Sequence, residues 1–526
     1  MLALTYFRFI AMIFNRILKG NHPKMKNWTL IVLLSLAYLI SNGQGKNSIW
    51  CFGDSAGIDF RNTSNPIAFT SSVNAFGSCA SISDSVGNLL FYCAAPDPIL
   101  YNSGELKAIV YNKEHHLMLN GDSLKCEFWY HEMIIVPDPG NENLFYVFHI
   151  GVTGQYGLYY SVVDMAQDSG RGAVISKNNQ LRNELAGDYL QAIKHGNGKD
   201  WWLIFRTAPP ANNNFYVYSI NSNGVQLDHV DSVGPQNSTN GGDLRFNSDG
   251  SQFAFCNLNG LLAVYDFDRC NGAITLSQTI HQEFPVGTSP FFFDCCFSPN
   301  DSMLYVSCAP YYSTNDTNQI YIYQFRLWMA NVYASKLVVW TVPYPNFPGA
   351  VRLAPDNKIY IASVSTPYPN DSSTFYPENM NLTVINQPNR VGALACDIQP
   401  YSFYLGGKRT YLGLPNNPNY DLGPLVGSLC DTINTIVEQT EISNPALNLS
   451  YQSAWQSVIV NASKLKGNKA KIYLTDISGR ILIVDEGKTI AGYFTKNIPM
   501  DNFTTGIYLV TIVTEKEKVS GKIVKE

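Results

Sequence analysis

Residues 79–93, CASISDSVGNLLFYC, hold two apolar runs, 79–83 and 89–93, on either side of the turn Asp84-Ser85-Val86-Gly87-Asn88. Asp and Asn side chains bond their own backbone in tight turns, and Gly accepts positive φ, so this stretch predicts a β-hairpin. The same phrase recurs along the chain. Its turns centre near Asp84, Asp138 (PDPGNEN), Asn197 (HGNGKD), Asp249 (NSDGS), Asn300 (SPNDS) and Asp356 (APDNK), 51 to 59 residues apart. Each leads into a β-branched and aromatic strand: LLFYC, LFYVF, WWLIF, QFAFC, MLYVS or KIYIA. A third strand often follows, as in GLYYSVV, NFYVYSI, LLAVYDF and QIYIYQF.

A repeat of this length, with no helical periodicity between its strands, fits the four-stranded blades of a β-propeller. Six turns imply six blades. Residues 401–414 (YSFYLGGKRTYLGL), completed by 48–52 (SIWCF) from the other end, would supply a seventh. Pairing first and last strands closes the ring and leaves no open edge. The fold class expected is therefore all-β, a propeller of seven blades with six as the alternative. A pair of stacked β-sandwiches is the competing architecture.

Composition agrees. Of 526 residues, 13% are aromatic and only 15% charged, against about 25% charged in an average domain. That disfavours coiled coils, disorder and a polytopic membrane protein. A net charge of −5 offers no electrostatic footing for nucleic acid. The charge is uneven, however. Residues 461–526 carry 11 Lys+Arg and 7 Asp+Glu, and the remainder 25 and 34. A basic tail on an acidic body points to a separate C-terminal module.

At the N-terminus, Lys24-Met25-Lys26 precede the apolar run 28–40 (WTLIVLLSLAYLI) and then Ser41-Asn42-Gly43. This is the pattern of a secretory signal cut after Gly43, with 1–24 an upstream extension and Met25 the start. The run is shorter than the roughly 20 residues a membrane helix needs, so the mature chain is expected to have no transmembrane segment. All 11 cysteines follow the signal and would meet an oxidising compartment. Pairing strands 79–83 and 89–93 about the turn centre sets Cys79 opposite Cys93 at disulfide distance. Two buried free thiols are the alternative.

Enzyme motifs are weak. Gly53-Asp54-Ser55 resembles the nucleophile block of GDSL-type esterases, but no His has an Asp three residues before it, and the last His is His281. Adjacent His115 and His116 diverge on a strand. Gly151, Gly154 and Gly157 have the wrong spacing for a dinucleotide loop. Asp266 and Asp268 lack further oxygen ligands for calcium. Trp201-Trp202 invites a sugar-binding reading, with one of the two expected in a sheet interface. No cofactor or metal is called for.

The stretches Trp50-Cys51-Phe52-Gly53, Ala56 to Phe60, 77–93, HEMIIVPDPGNENLFYVF (131–148), RLAPDNKIYIAS (352–363) and YLGLPN (411–416) resemble a group of secreted Bacteroidota proteins with propeller-like bodies. That group has no common activity to carry over. In the tail, KIYLTDISGRIL (471–482), MDNFTTGIYLVTI (500–512) and GKIVKE (521–526) resemble the type A sorting domain of the type IX secretion system. The resemblance implies a small Ig-like β-sandwich and places Gly479 and Arg480 in the family's Gly-Arg turn. It likewise sets Gly506 and Tyr508 at its Gly-x-Tyr strand start, and Lys522 and Lys525 in its basic terminus. The Pro-Asn-Pro entry of that family is reduced here to Ser443-Asn444-Pro445.

The expected organisation is extension and signal in 1–43, propeller in 44–420, linker in 421–445 and sorting domain in 446–526. The expected role is a non-enzymatic module outside the cell or on its surface that binds a protein or glycan. The type IX secretion machinery is the second expected partner. Loops 309–319 and 364–380, rich in Tyr, Asn and Ser, suit recognition. The alternative is a secreted hydrolase or lyase acting on polysaccharide or peptide. It would need two carboxylates, or a carboxylate and His, to converge on one funnel.

Overall fold

The computed structural model of the chain describes residues 45–96, 107–152, 157–283, 291–309, 320–365, 375–431, 445–452, 456–489 and 492–525. The expected signal, most of both expected recognition loops (310–319 and 366–374) and residues 432–444 of the expected linker lie outside the described residues. Seven antiparallel meanders succeed one another in the body. The first is β1 (Ile49–Phe52), β2 (Asp54–Asp59) and β3 (Ile67–Asn74); the second is β4 (Cys79–Ser83), β5 (Leu89–Ala94) and β6 (Ile109–Asn112). The third is β7 (Met133–Pro137), β8 (Leu144–Gly151), β9 (Gly157–Asp164) and β10 (Ala173–Arg182). The fourth is β11 (Gln191–Lys194), β12 (Trp201–Phe205), β13 (Asn212–Asn221) and β14 (Gly224–Asn237). The fifth is β15 (Gly242–Phe246), β16 (Gln252–Asn257), β17 (Leu262–Phe267) and β18 (Ile274–His281). The sixth is β19 (Phe291–Phe297), β20 (Met303–Ala309), β21 (Ile320–Arg326) and β22 (Leu337–Val342). The seventh is β23 (Asn346–Leu353), β24 (Ile359–Ser365), β25 (Asn381–Ile385) and β26 (Ile398–Tyr404). Among the described residues there is no α-helix, and so no helix long and apolar enough to cross a membrane. The body is a seven-bladed propeller.

The six turns predicted from sequence are the six hairpins that join first to second strand in sheets two to seven. In each, an Asx oxygen accepts the N–H two residues on. Asp84 accepts from Val86 (3.0 Å), Asp138 from Gly140 (2.6 Å) and Asn197 from Lys199 (2.9 Å). Asp249 accepts from Ser251 (2.8 Å), Asn300 from Ser302 (3.2 Å) and Asp356 from Lys358 (3.2 Å). Between turns the strands are apolar on both sides, because each sheet is covered by a neighbour on either face. Trp201 packs in the cluster shared with sheets two and three, and Trp202 in the one shared with sheet five. Both indoles are buried, where one was expected; neither is a sugar platform.

After β26 the chain turns inward. Asp54 donates its N–H to Arg409 O (2.9 Å), Ala350 to Leu412 O (2.7 Å), Leu412 to Phe76 O (3.0 Å) and Asn416 to Cys79 O (2.9 Å). The approach is so close that a Cβ on Gly413 would strike the Gly77 backbone, and one on Gly349 the Leu412 carbonyl. The ring closes here, though not through the expected shared sheet. Residues 49–52 pair with β2, 398–404 are the last strand of sheet seven, and an isolated bridge from Asp54 to Arg409 joins the two ends.

The described part of the expected linker is a strap fastened to the ring. Tyr420 OH donates to Ile135 O (2.9 Å), Leu425 N–H to Gly196 O (2.7 Å) and Arg269 Nη2 to Gly423 O (2.8 Å). A disulfide, Cys270–Cys430, ties its end to sheet five across 160 residues of sequence. The expected bridge from Cys79 to Cys93 is absent: both thiols are free and buried. A register shift between Ile82 and Ser83 sets Cys79 opposite Ala94 and Ala80 opposite Cys93. One residue of slip sends the two sulfurs to opposite faces, Cys79 into the core with sheets one and seven, Cys93 into the core with sheet three.

The C-terminal sandwich comprises β27 (Ala446–Gln452), β28 (Ser457–Ser463), β29 (Lys469–Asp476), β30 (Ile481–Lys488), β31 (Phe494–Pro499), β32 (Gly506–Thr514) and β33 (Lys518–Lys525). Its sheets run β27-β28-β31 and β30-β29-β32-β33. Val458, Val460, Phe494 and Ile498 from one face meet Ile472, Leu474, Val510 and Ile512 from the other in a core of its own.

Candidate functional site

The first strands of sheets three to seven converge on the ring axis, and the side chains that meet there are charged. Asp243 and Arg245 alternate on β15 and so share a face. Asp294 comes from β19, Arg352 from β23, and His131 stands just before β7. Arg352 Nη1 donates to Asp294 (2.6 Å), and Arg245 grips Asp243 through Nη2 (2.9 Å) and Nε (3.2 Å). His131 Nε2 lies 3.2 Å from Asp294 and 3.5 Å from Asp243, and Arg352 Nη2 donates to Nδ1 at 3.0 Å. The same Arg352 Nη2 also lies 3.1 Å from Nε2, so the guanidinium caps the edge of the ring.

All of these groups are buried. Burial lowers the His131 pKa, so the ring is neutral. Burial raises Asp294 in spite of Arg352. At Asp243 burial is outweighed by the Arg245 and Arg352 guanidiniums, which hold the carboxyl well below its usual range. His131, Asp243 and Asp294 offer ligand atoms within 4.8 Å of one another, the spacing of a metal site. Two guanidiniums already occupy those carboxylates, and a divalent ion would be set against two fixed positive charges. The donor set fits an internal ion-pair network better than a metal centre.

Asn416 is buried against this network. Asn416 Nδ2 donates to Met133 O (3.1 Å) and Leu190 O (3.0 Å), and its Oδ1 accepts from Arg245 Nη1 (3.1 Å) and Gln191 Nε2 (3.3 Å). One amide thus joins sheets three, four and five to the closing strap.

Beside the network, Glu127-Phe128-Trp129-Tyr130-His131-Glu132 forms a loop held from beneath by its own acids. Glu132 accepts the N–H groups of Trp129 (3.0 Å) and Tyr130 (2.9 Å), and Glu127 accepts Trp129 Nε1 (3.1 Å). Burial lifts the Glu132 carboxyl to about 7 and pushes Asp188 well above the carboxylate range. The loop presents Trp129, 37% exposed and stacked on Phe128 at 4.6 Å, and Tyr130, half-buried and edge-on to Phe293 at 4.4 Å. The result is an aromatic lip beside the axis. Sequence reading missed it: His131 has no partner at motif spacing, and the cue was the acid–aromatic–acid order itself.

The other sequence candidates are not brought together. Ser55 Oγ donates to Asp54 (3.3 Å), and Asp54 in turn accepts Arg409 Nε (3.1 Å), so this segment serves ring closure. His115 bonds Tyr92 OH (3.1 Å), whereas His116 is exposed. Asp266 accepts Gln252 Nε2 (2.7 Å) and Asp268 the Cys270 N–H (2.8 Å).

In the tail, Gly479 has φ +83° in the turn where Asp476 accepts the N–H groups of Ser478 (3.0 Å) and Arg480 (3.1 Å). Arg480 is exposed and pairs with Asp476 at 3.1 Å. Gly506 opens β32, and buried Tyr508 donates its OH to Thr504 O (2.6 Å). Lys525 is buried, its Nζ donating to Met500 O and Phe503 O at 2.7 Å each, while Lys522 is exposed on β33.

Among solved structures, the chain is similar to the Swd1 β-propeller domain from Myceliophteria thermophila, at 8% identity and TM-score 0.36, covering 62% of this chain and 94% of that one. It is similar to the oligogalacturonate lyase from Vibrio parahaemolyticus at 12% identity and TM-score 0.32, covering 62% and 77%. The endo-arabinase from Bacteroides thetaiotaomicron is similar at 10% identity and TM-score 0.28, covering 44% and 88%. No curated protein matches the sequence. Residues 454–526 match the secretion system C-terminal sorting domain, and this end of the chain is a type IX sorting domain that directs the protein across the outer membrane to the cell surface or the medium.

Proposed function

We propose that the ring is a non-enzymatic binding module that captures a protein or glycan outside the cell, with the lip formed by Trp129 and Tyr130 as a contact surface. The observation that carries this reading is the state of the axial charges. His131, Asp243 and Asp294 are buried, each carboxylate is engaged by an arginine, and Arg245 is held in turn by buried Asn416. A general acid or base must reach the proton it moves, and these groups face one another. A half-exposed indole held rigid by ring stacking and two acids is, by contrast, suited to contact at low entropic cost.

A second reading, a secreted hydrolase or lyase, rests on the convergence of His131 with Asp294 at 3.2 Å. Glycan arrays and protein capture with the mature chain separate the two. Binding without turnover, lost in W129A while the thermal transition is kept, is the expected result. A polysaccharide or peptide shortened by the wild type and left intact by D294N establishes the enzyme instead.

A further inference from the structure

The outer face of a soluble β-sandwich alternates polar residues against its buried ones. On the four-stranded sheet of the sorting domain that rule fails at one end. Ile481 and Val484 of β30, Ile507 and Leu509 of β32 and Val524 of β33 are 39% to 57% exposed. The register gathers them. Tyr473 lies opposite Val484, Thr475 sits between Ile481 and Leu509, Leu509 faces Lys522, and Ile507 faces Val524. Directly opposed residues stand about 5 Å apart, so these side chains form one band across all four strands. The rest of the face is largely cationic, with Lys469 and Lys471 on β29, Lys488 on β30, and Glu486 set against Lys471 at 3.8 Å. An exposed apolar patch with a polar rim marks an interaction site.

The family positions lead to the same face. Gly479, Tyr508 and Lys525 are spent on the fold, in a turn, a buried ring and a buried ammonium. A partner cannot read those directly. Lys522 is exposed within the band, opposite Leu509, and exposed Arg480 immediately precedes Ile481. We propose that this face is the surface the export machinery grips, through a protein component offering an apolar strip flanked by acidic side chains. The proposal rests on the sorting role of residues 454–526. A second copy is a poor occupant: a two-fold interface apposes a patch to itself, and here that sets lysines against lysines.

The test is export of the full-length chain from its own cells. The triple variant I507T/L509T/V524T keeps β-branched residues, or adds one, at exposed strand positions, so its sandwich is expected to fold, with the same protease resistance as wild type. It is expected to accumulate in the periplasm, with the extracellular amount down at least tenfold. Reversing the one charge set within the band, K522E, is expected to reduce export while every apolar residue of the band stays in place. The control L117T/L119T removes two exposed leucines from the ring and is expected to export normally. Should the triple variant misfold, L509T and K522E alone carry the test. Wild-type export of the folded triple variant overturns the proposal. So does a wild-type dimer in sedimentation that the same substitutions dissociate, or export failure in the control as well. Removing residues 446–526 keeps the two levels apart. If that deletion stops export and the triple variant does not, the face is wrong and the sorting role stands. If the deletion itself is exported, the sorting role is wrong.

Discussion

Glu132 is buried beneath the Trp129–Tyr130 loop and holds it by accepting the backbone N–H groups of both residues. Desolvation favours the neutral acid, so Glu132 binds its proton more tightly in the folded chain than in the unfolded one. The stability tied to it is complete below the ordinary glutamate value of about 4.3 and drains away as pH rises through about 7. The melting temperature is therefore expected to fall between about pH 4 and pH 7 and to level off above that. E132Q, which cannot ionise and keeps one of the two acceptors, is expected to flatten that fall in thermal scans. A slope unchanged in E132Q assigns the effect elsewhere. Asp243 has the opposite sign: held low by Arg245, it loses its contribution only as pH falls through its depressed pKa.

At the scale of elements, the strap after β26 decides how the ring is held shut. Its backbone touches sheets one, two and seven, Asn416 adds three, four and five, and the disulfide ends it on sheet five. Closing a loop of 160 residues removes much unfolded-state freedom, and native disulfides of this kind are worth about 2–4 kcal/mol. C430S is expected to lower stability by that order in chemical unfolding and to expose 421–431 to limited proteolysis, with the seven sheets retained. Equal stability and equal protease resistance would show that the hydrogen bonds of the strap suffice. The free pair Cys79 and Cys93 shows the same scale from the other side. Turn composition located the hairpin, but the bulge that shifts its register has no local signature, so side-chain facing was not legible.

For the molecule as a whole, ring and sandwich have separate cores: among the described residues, the clusters of the seven sheets contain none beyond 414 except Tyr420 and Leu422, and that of the sandwich none before 447. Deleting 446–526 is therefore expected to leave a folded ring confined to the periplasm, scored by fractionation and protease resistance. The truncated protein found outside the cell in normal amounts contradicts this.

The sequence by itself determined six of the repeated hairpins and the identity of the tail, because an Asx oxygen acts on an amide two residues away and strand alternation is a local pattern. Only the tertiary structure decided what stands on the axis. His131 and Arg352 are 221 residues apart and Asn416 and Met133 are 283 apart. Such contacts exist only after seven sheets have closed into a ring, and nothing local at either position encodes the other. The same closure turned an Asn- and Pro-rich stretch, a loop by composition in either case, into a strap, and chose Cys270 for Cys430 by proximity rather than by spacing.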